Sequence, residues 1–355
     1  MPSPTDEARR DEAGRTGTAA RTGTAATTGT AGRTGGAPVP GAAPADRRER
    51  ARRWRASWRR SETRAAYGFL SPWIFGFVVL TAGPMIATLY LSFTNYDGIS
   101  EPRGVGMENY RQLFEDPSVA KSLMNTLVFT VLRVPLSMAV ALALAMLLLR
   151  VGRATGFFRT LFYLPVMTPS VAVGILFLLL FNGNVGLINT VLGFVGIDGP
   201  SWTTDGDWIK PGLVLTTLWS VGSTVIIYLA ALRNVPQELY EAAEIDGVGR
   251  RQAFVHVTLP QISGALFFTL IVNTIASLQT FTEAYTAFFG SANSQTYSND
   301  AALFYVVHLF QQAFQYMHLG YASALAWLLF LVILAITLVQ ARLSKRFVYY
   351  EGEER

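Results

Sequence analysis

Six stretches of the chain stay apolar for about the 20 residues that a helix needs to cross a bilayer: 67–93, 122–149, 156–181, 212–232, 262–285 and 321–343. A helix satisfies its own backbone hydrogen bonds inside lipid, so each stretch predicts a spanning helix and together they predict an all-α integral membrane domain over residues 67–347. Pro84 interrupts the first stretch, Arg133 and Pro135 lie inside the second, and the fifth is the most polar.

Basic residues orient these spans, because loops rich in Lys and Arg stay on the cytoplasmic side. With the N-terminus inside, the inner segments carry Arg150, Arg153 and Arg159, then Arg233, Arg250 and Arg251, then Arg342, Lys345, Arg346 and Arg355. The outer segments carry only Arg103, Arg111, Lys121 and Lys210. Both termini are therefore expected in the cytoplasm. The outer loops, 95–121, 182–211 and 290–320, are long and hold turn sequences such as Asn95-Tyr-Asp-Gly98 and Asp198-Gly-Pro200. Residues 301–317 turn apolar again, but Gln311, Gln312 and His318 interrupt them. They read as a lateral or re-entrant helix rather than a seventh span.

Composition agrees. Charged residues are 15% of the chain and hydrophobic ones 51%, against about 25% charged in soluble proteins. Fourteen of the 29 Lys and Arg precede Tyr67, which leaves the rest poorer still in charge. Residues 1–45 repeat Arg-Thr-Gly-Thr-Ala-Ala at Arg15 and Arg21 and hold too little bulky apolar surface to fold, so disorder is expected there. They lack the apolar core of a secretory signal. In the basic segment 46–66, Arg50, Arg53, Trp54, Trp58 and Arg59 fit either a short helix at the headgroup level or a disordered basic anchor. A basic tail beside apolar spans reads the anionic inner leaflet, and no nucleic-acid-binding fold follows it, so no nucleic-acid partner is expected. Residues 348–355 form a short cytoplasmic tail.

The chain has no Cys, which excludes disulfides, thiolate metal sites and Cys nucleophiles. His256, His308 and His318 lack metal-ligand spacing, and no cofactor or metal is expected. No phosphate loop of the form G-x-x-x-x-G-K-[ST] occurs, and no catalytic residue set gathers in one plausible pocket.

The cytoplasmic loop 233–260 is unusual. Pro236 suits a first helical position, Glu238 and Glu241 favour the positive end of a helix, and Gly247 and Gly249 allow a reversal before a second helix with Phe254 and Val257 on one face. Pro260 then starts the next span. A plain connector would be shorter and more polar. This bent amphipathic elbow has the form of something that seats in another protein.

Glu241, Ala242, Ala243, Asp246, Gly247, Phe254, Leu259 and Pro260 stand as in the Glu-Ala-Ala signature, and the loop closely resembles that of permease subunits in binding-protein-dependent ABC importers. The resemblance runs over residues 67–347. Asn109-Tyr110, Asn125-Thr126, Leu164-Pro165, Gly186-Leu-Ile-Asn189 and Gly320-Tyr-Ala-Ser-Ala324 look like the carbohydrate branch, as in maltose-type and glycerol-phosphate-type importers. After Tyr285 that branch often has Gly-Gly-Pro, where this chain has Gly290-Ser-Ala-Asn.

The resemblance implies a six-helix bundle of the type I importer kind. It also implies a second homologous permease in a heterodimer, two separate ABC ATPase subunits and an extracytoplasmic solute-binding protein that delivers a sugar. The elbow would dock into the ATPase and transmit its closure. Glu241 would cap or salt-bridge within that interface, or simply stabilise its helix, and Gly247 would permit the turn.

A path through the bundle needs polar side chains facing inward. Asn273, Ser277 and Thr280 lie on one helical stripe with Ala284, flanked by Gln279 and Glu283. The resembled maltose-type permease presents sugar-binding residues on this span. Hydroxyls and amides suit sugar hydroxyls, though bonding between helices fits the same stripe. Ser220, Gly222, Ser223 and Thr224 would loosen the fourth span and line the same path. Arg133 would pair with a carboxylate of the protein or with an anionic solute. An importer of another solute, such as a glycerol phosphate or a polyamine, and an exporter-type or regulatory membrane subunit remain as alternatives. The elbow and the long outer loops favour import.

Overall fold

The computed structural model describes Thr63, residues 65–289 and residues 300–347. The tail 1–45, nearly all of the basic segment 46–66, the Gly290-Ser-Ala-Asn departure and the end 348–355 lie outside the described residues. The chain divides after Pro72, and the body from Trp73 onward is the one described here.

Four helices are long and apolar enough to cross a membrane: α1 (Ala65–Leu91), α3 (Pro117–Arg150), α10 (Ser263–Phe288) and α12 (Leu319–Ser344). Two further pairs reach that length together but are bent. α4 (Thr155–Met167) meets α5 (Ser170–Leu180) at 93°, and α7 (Gly206–Ser220) meets α8 (Gly222–Arg233) at 56°. All six apolar stretches of the sequence thus fall on these elements. Among the described residues the only strands are β1 (Thr94–Asn95) and β2 (Arg103–Gly104), two residues each, paired as a hairpin in the loop that follows α1.

Local chemistry sets these boundaries. A π-helical turn at Val78–Ala82 comes just before Pro84, whose nitrogen has no hydrogen to donate. Asp116 caps α3 by accepting from the Ser118 N–H, and Pro117 follows as the first helical residue. Asp205 caps α7 in the same way through the Asp207 N–H. The bend between α4 and α5 falls at Thr168 and Pro169, both extended. The bend between α7 and α8 is fixed from outside: a Cβ at Gly222 would collide with the Phe162 carbonyl of α4. Within α10 the helix is interrupted at Gln279 and Phe281, which split it into Ser263–Leu278 and Thr282–Phe288.

α3 is the central element, packing against α8, α10, α7 and the short helix α11 (Tyr305–Phe310). One core cluster joins α3 to α8 through Ala141, Ala145, Leu148, Val225, Tyr228 and Leu229. Another, with Phe129, Leu213, Ala284, Phe304 and Val307, sits nearer the N-terminal end of α3. α11 and the π-turn after it, Gln311–Gln315, hold six and five residues, far short of a span.

Two loops are clamped by asparagines from the family-like motifs. The Asn109 amide, on α2 (Glu108–Glu115), donates to the carbonyls of Ser92 and Thr94, both at 2.9 Å. The Asn189 amide, on α6 (Leu187–Phe194), donates to the carbonyls of Gly183, Gly199 and Pro200, while its oxygen accepts from the Trp202 indole at 2.8 Å. Gly320 is needed where α12 passes the hairpin, because a Cβ there would meet the Thr94 carbonyl.

Candidate functional site

The loop between the fourth and fifth spans is the bent double helix that its sequence predicts. α9 (Gln237–Ile245) ends in a Schellman turn: the Val248 N–H bonds the Ala243 carbonyl at 2.9 Å and the Gly247 N–H bonds the Glu244 carbonyl at 3.0 Å. Gly247 has φ +73°, the left-handed region in which only glycine is unstrained. The second helical run covers residues 250–261, with a π-helical turn at Phe254–Thr258. Two details differ from expectation. Pro236 is the residue before the helix rather than its first, and Gly249 has an ordinary φ of −70° and serves as an N-cap.

The elbow offers an apolar edge to its surroundings. Ile245 at its tip is 87% exposed, and Val255 and Leu239 are also exposed. Around that edge Glu238, Glu241, Glu244 and Asp246 lie exposed on one arm and Arg250 and Arg251 on the other. Ala242 is exposed as well, while Ala243 and Phe254 are half-buried. Leu259 and Pro260 instead line a cavity of about 450 Å³ with Met138, Leu266, Gln340 and Leu343, where the elbow rejoins the bundle.

The polar stripe of α10 is arranged differently from an open lining. Ser277 and Ala284 are fully buried and Thr280 nearly so, whereas Asn273 and Glu283 are half-buried and Gln279 exposed. The Ser277 hydroxyl has no hydrogen-bond partner. Arg133 reaches this stripe from α3: its guanidinium donates to the Thr280 hydroxyl at 3.3 Å and lies 5.7 Å from the Phe129 ring centre. Arg133 and Thr280 are thus brought together, and Ser277 stands three residues before Thr280 on α10. Ser223 is exposed on α8 and Thr224 buried, and neither bonds to that group.

Polar contacts that the sequence did not reveal lie near the ends of the bundle. Asn125 donates to the carbonyls of Asp300 and Leu303 and accepts from Lys210, and Lys121 pairs with Asp300. Thr126 accepts from the Tyr305 N–H. The Asp116 carboxylate accepts from the Tyr321 hydroxyl at 3.0 Å and lies 3.6 Å from His308 Nε2, an ion-pair contact too long for a hydrogen bond. Burial alone would raise the Asp116 pKa. The Ser118 and Tyr321 hydrogen bonds and the nearby imidazole outweigh it and hold the carboxyl below its usual value. Burial pushes the His308 imidazole down from 6.5, with Asp116 opposing. At the end of the bundle nearer the elbow, Gln340 donates to Thr274, and Tyr228 shares a 2.5 Å bond with Thr269. The only sequence signal for these pairs was the presence of polar residues inside apolar runs.

Residues 133–349 match the family described as binding-protein-dependent transport system inner membrane component. The chain is 40% identical over 298 residues to the probable ABC transporter permease protein YesP of Bacillus subtilis, covering 83% of this chain and 95% of that protein. It is 32% identical over 293 residues to the lactose transport system permease protein LacF of Rhizobium radiobacter, covering 81% and 93%. The arabinooligosaccharides transport system permease protein AraP of Bacillus subtilis is 30% identical over 290 residues, covering 81% and 90%. Among solved structures, a bacterial ABC transporter involved in the import of the acidic polysaccharide alginate superposes with a TM-score of 0.70 at 22% identity, covering 83% of this chain and all of that one. At that identity the likeness speaks for the fold alone.

Proposed function

The chain belongs to the family of binding-protein-dependent transport system inner membrane components, and from that premise we propose that it is the permease subunit of an ATP-driven bacterial importer of a sugar or oligosaccharide. It forms part of the translocation path, and ATP is hydrolysed by a separate subunit. Relatives named for lactose and for arabinooligosaccharides support the carbohydrate class.

In this reading the two bent pairs each count as one span, which makes six, with both termini in the cytoplasm. A second, homologous permease completes the path in a heterodimer, two ATPases bind from below, and an external binding protein delivers the solute. The elbow 237–261 is the coupling element. The observation that carries this role is an apolar tip, Ile245, held in solvent by a turn that only glycine accepts comfortably. Exposed isoleucine at a rigid tip is poorly hydrated unless a partner covers it. The carboxylates on α9 and the arginines beyond Gly249 frame that tip with charge of both signs, which fixes the orientation of a docked partner.

The test is uptake of labelled oligosaccharides in a strain deleted for the chain. Uptake of at least one sugar is expected to fall to background and to return with the intact gene. Undiminished uptake of every sugar in a broad panel would remove the proposal.

A further inference from the structure

A cation in the middle of a span needs a compensating group, because lipid and apolar side chains provide none. Arg133 is the seventeenth of the 34 residues of α3, so it sits at mid-span. Its recorded neighbours are the Thr280 hydroxyl, the face of Phe129 and, at longer range, the Glu283 carboxylate. No carboxylate of the described residues comes within 4.0 Å of it. Of the five N–H donors of the guanidinium, one is hydrogen-bonded among the described residues. The fully buried, unpartnered Ser277 hydroxyl lies one helical turn from Thr280, and α10 is broken at Gln279 and Phe281, level with this contact.

A second feature adjoins it. Phe281, Tyr285 and Phe310 form a ladder with ring centres 5.0–5.1 Å apart, which continues to Phe314, 65% exposed. The Gln315 amide donates to the Tyr285 hydroxyl at 3.4 Å. The group therefore joins a partly free planar cation, unpaired hydroxyl capacity and an aromatic wall with amides at its rim.

Resting on the reading of the chain as a sugar-importer permease, we propose that Arg133 is the specificity-determining residue of the path and that the solute it selects is an anionic sugar. The carboxylate or phosphate of the solute takes the free edge of the guanidinium, whose planar fork matches such groups in a bidentate manner. The C–H face of the sugar ring lies on the Phe281–Tyr285–Phe310 ladder. A neutral sugar would leave Arg133 with only the distant Glu283 carboxylate opposite its charge, whereas an anion pairs with it directly whenever the path is loaded. Glu283, beyond ion-pair distance, shields the cation while the path is empty.

The experiment uses the whole complex, with its binding protein and ATPases, in proteoliposomes. The probes are a uronate-ended disaccharide, its carboxyl-reduced neutral counterpart and a hexose phosphate. The intact complex is expected to take up the uronate or the phosphate, and whichever is taken up identifies the anion. Arg133→Gln is expected to lower that uptake roughly tenfold or more, as loss of a charged hydrogen bond does. Arg133→Lys is expected to restore part of the uptake. Transport of the neutral sugar alone, unchanged in Arg133→Gln, would overturn the proposal and leave the importer reading standing. An equal loss of thermal stability and ATPase stimulation in Arg133→Gln and Glu283→Gln would overturn it too, by showing a structural ion pair. Uptake of neither anionic probe by the intact complex would also overturn the proposal, while the importer reading stands or falls with the broad sugar panel of the deletion strain.

Discussion

The Tyr240 hydroxyl lies 2.9 Å from the Thr258 hydroxyl, so the two arms of the elbow are tied by a side-chain bond as well as by the backbone turn at Gly247. Thr258 is buried and Tyr240 half-buried, which keeps the bond away from bulk water. Tyr240→Phe removes it without removing the ring. A loss of about 0.5–1.5 kcal/mol is expected, the usual net value of one hydrogen bond. The check is thermal unfolding in nanodiscs together with sugar-dependent ATP hydrolysis, which should weaken and not disappear.

Gly247 is a stricter position. Its φ of +73° places any side chain in the left-handed region, at about 1–2 kcal/mol. No atom lies within 4 Å of a Cβ there, so Gly247→Ala tests backbone strain alone. Gly247→Pro cannot adopt the turn at all. Normal membrane insertion with partial loss of uptake is expected for the first, and insertion without uptake for the second. Full uptake in the proline variant would contradict the coupling role of the elbow.

Topology can be read directly because the chain carries no cysteine of its own. Single cysteines at Ile245 and Asp198, both exposed, should react from opposite sides of the membrane with an impermeant thiol reagent. The first is expected to label only in inverted vesicles and the second in whole cells with a permeable envelope. Labelling of Ile245→Cys from outside would reverse the orientation proposed above.

Asn189 holds the second outer loop by three carbonyls and one indole. Asn189→Ala leaves the Trp202 N–H without its acceptor while Trp202 is 7% exposed. A loss of about 1–3 kcal/mol is expected from the unpaired buried donor. Thermal unfolding and the tryptophan emission of the variant would show it.

The contact between Asp116 and His308 predicts a dependence of stability on pH. The His308 pKa lies below 6.5 in the folded chain, so above 6.5 the imidazole is neutral in both states and the fold has its full stability. As pH falls below 6.5 the unfolded chain binds the proton first and stability declines until the folded pKa is passed. Asp116, with a depressed pKa, adds a second loss only below its ordinary value of 3.8. The midpoint of thermal unfolding should fall as pH drops below 6.5, and His308→Gln should flatten that fall. An unchanged profile in the variant would exclude this assignment.

Much of the fold was legible because a membrane span needs a long apolar run and a turn needs specific residues. The stretches 122–149 and 321–343 fall inside α3 and α12, and the Pro236–Pro260 pattern produced the two-armed elbow. The bends were less legible. Thr168-Pro169 marks one in the sequence, but the other depends on Gly222 meeting the Phe162 carbonyl, a contact between residues 60 positions apart. Pro135, by contrast, stands inside α3 without ending it. Of the stripe Asn273, Ser277, Thr280, the first two lie within the helix Ser263–Leu278 and Thr280 in the break after it. The exposure of the stripe was not readable, because whether such a face lies open or against α3 depends on how the helices pack. The partners of Asn125 and Asp116 lie nearly 200 residues away in sequence, and periodicity carries no information at that range.

The close approach of Gly222 to Phe162 sets a fulcrum. α8 runs 12 residues, about 18 Å, from that point to the elbow, as a stiff rod with no break. Under the proposed coupling role, a displacement of α9 would be carried along that rod to the point where α4 and α8 meet.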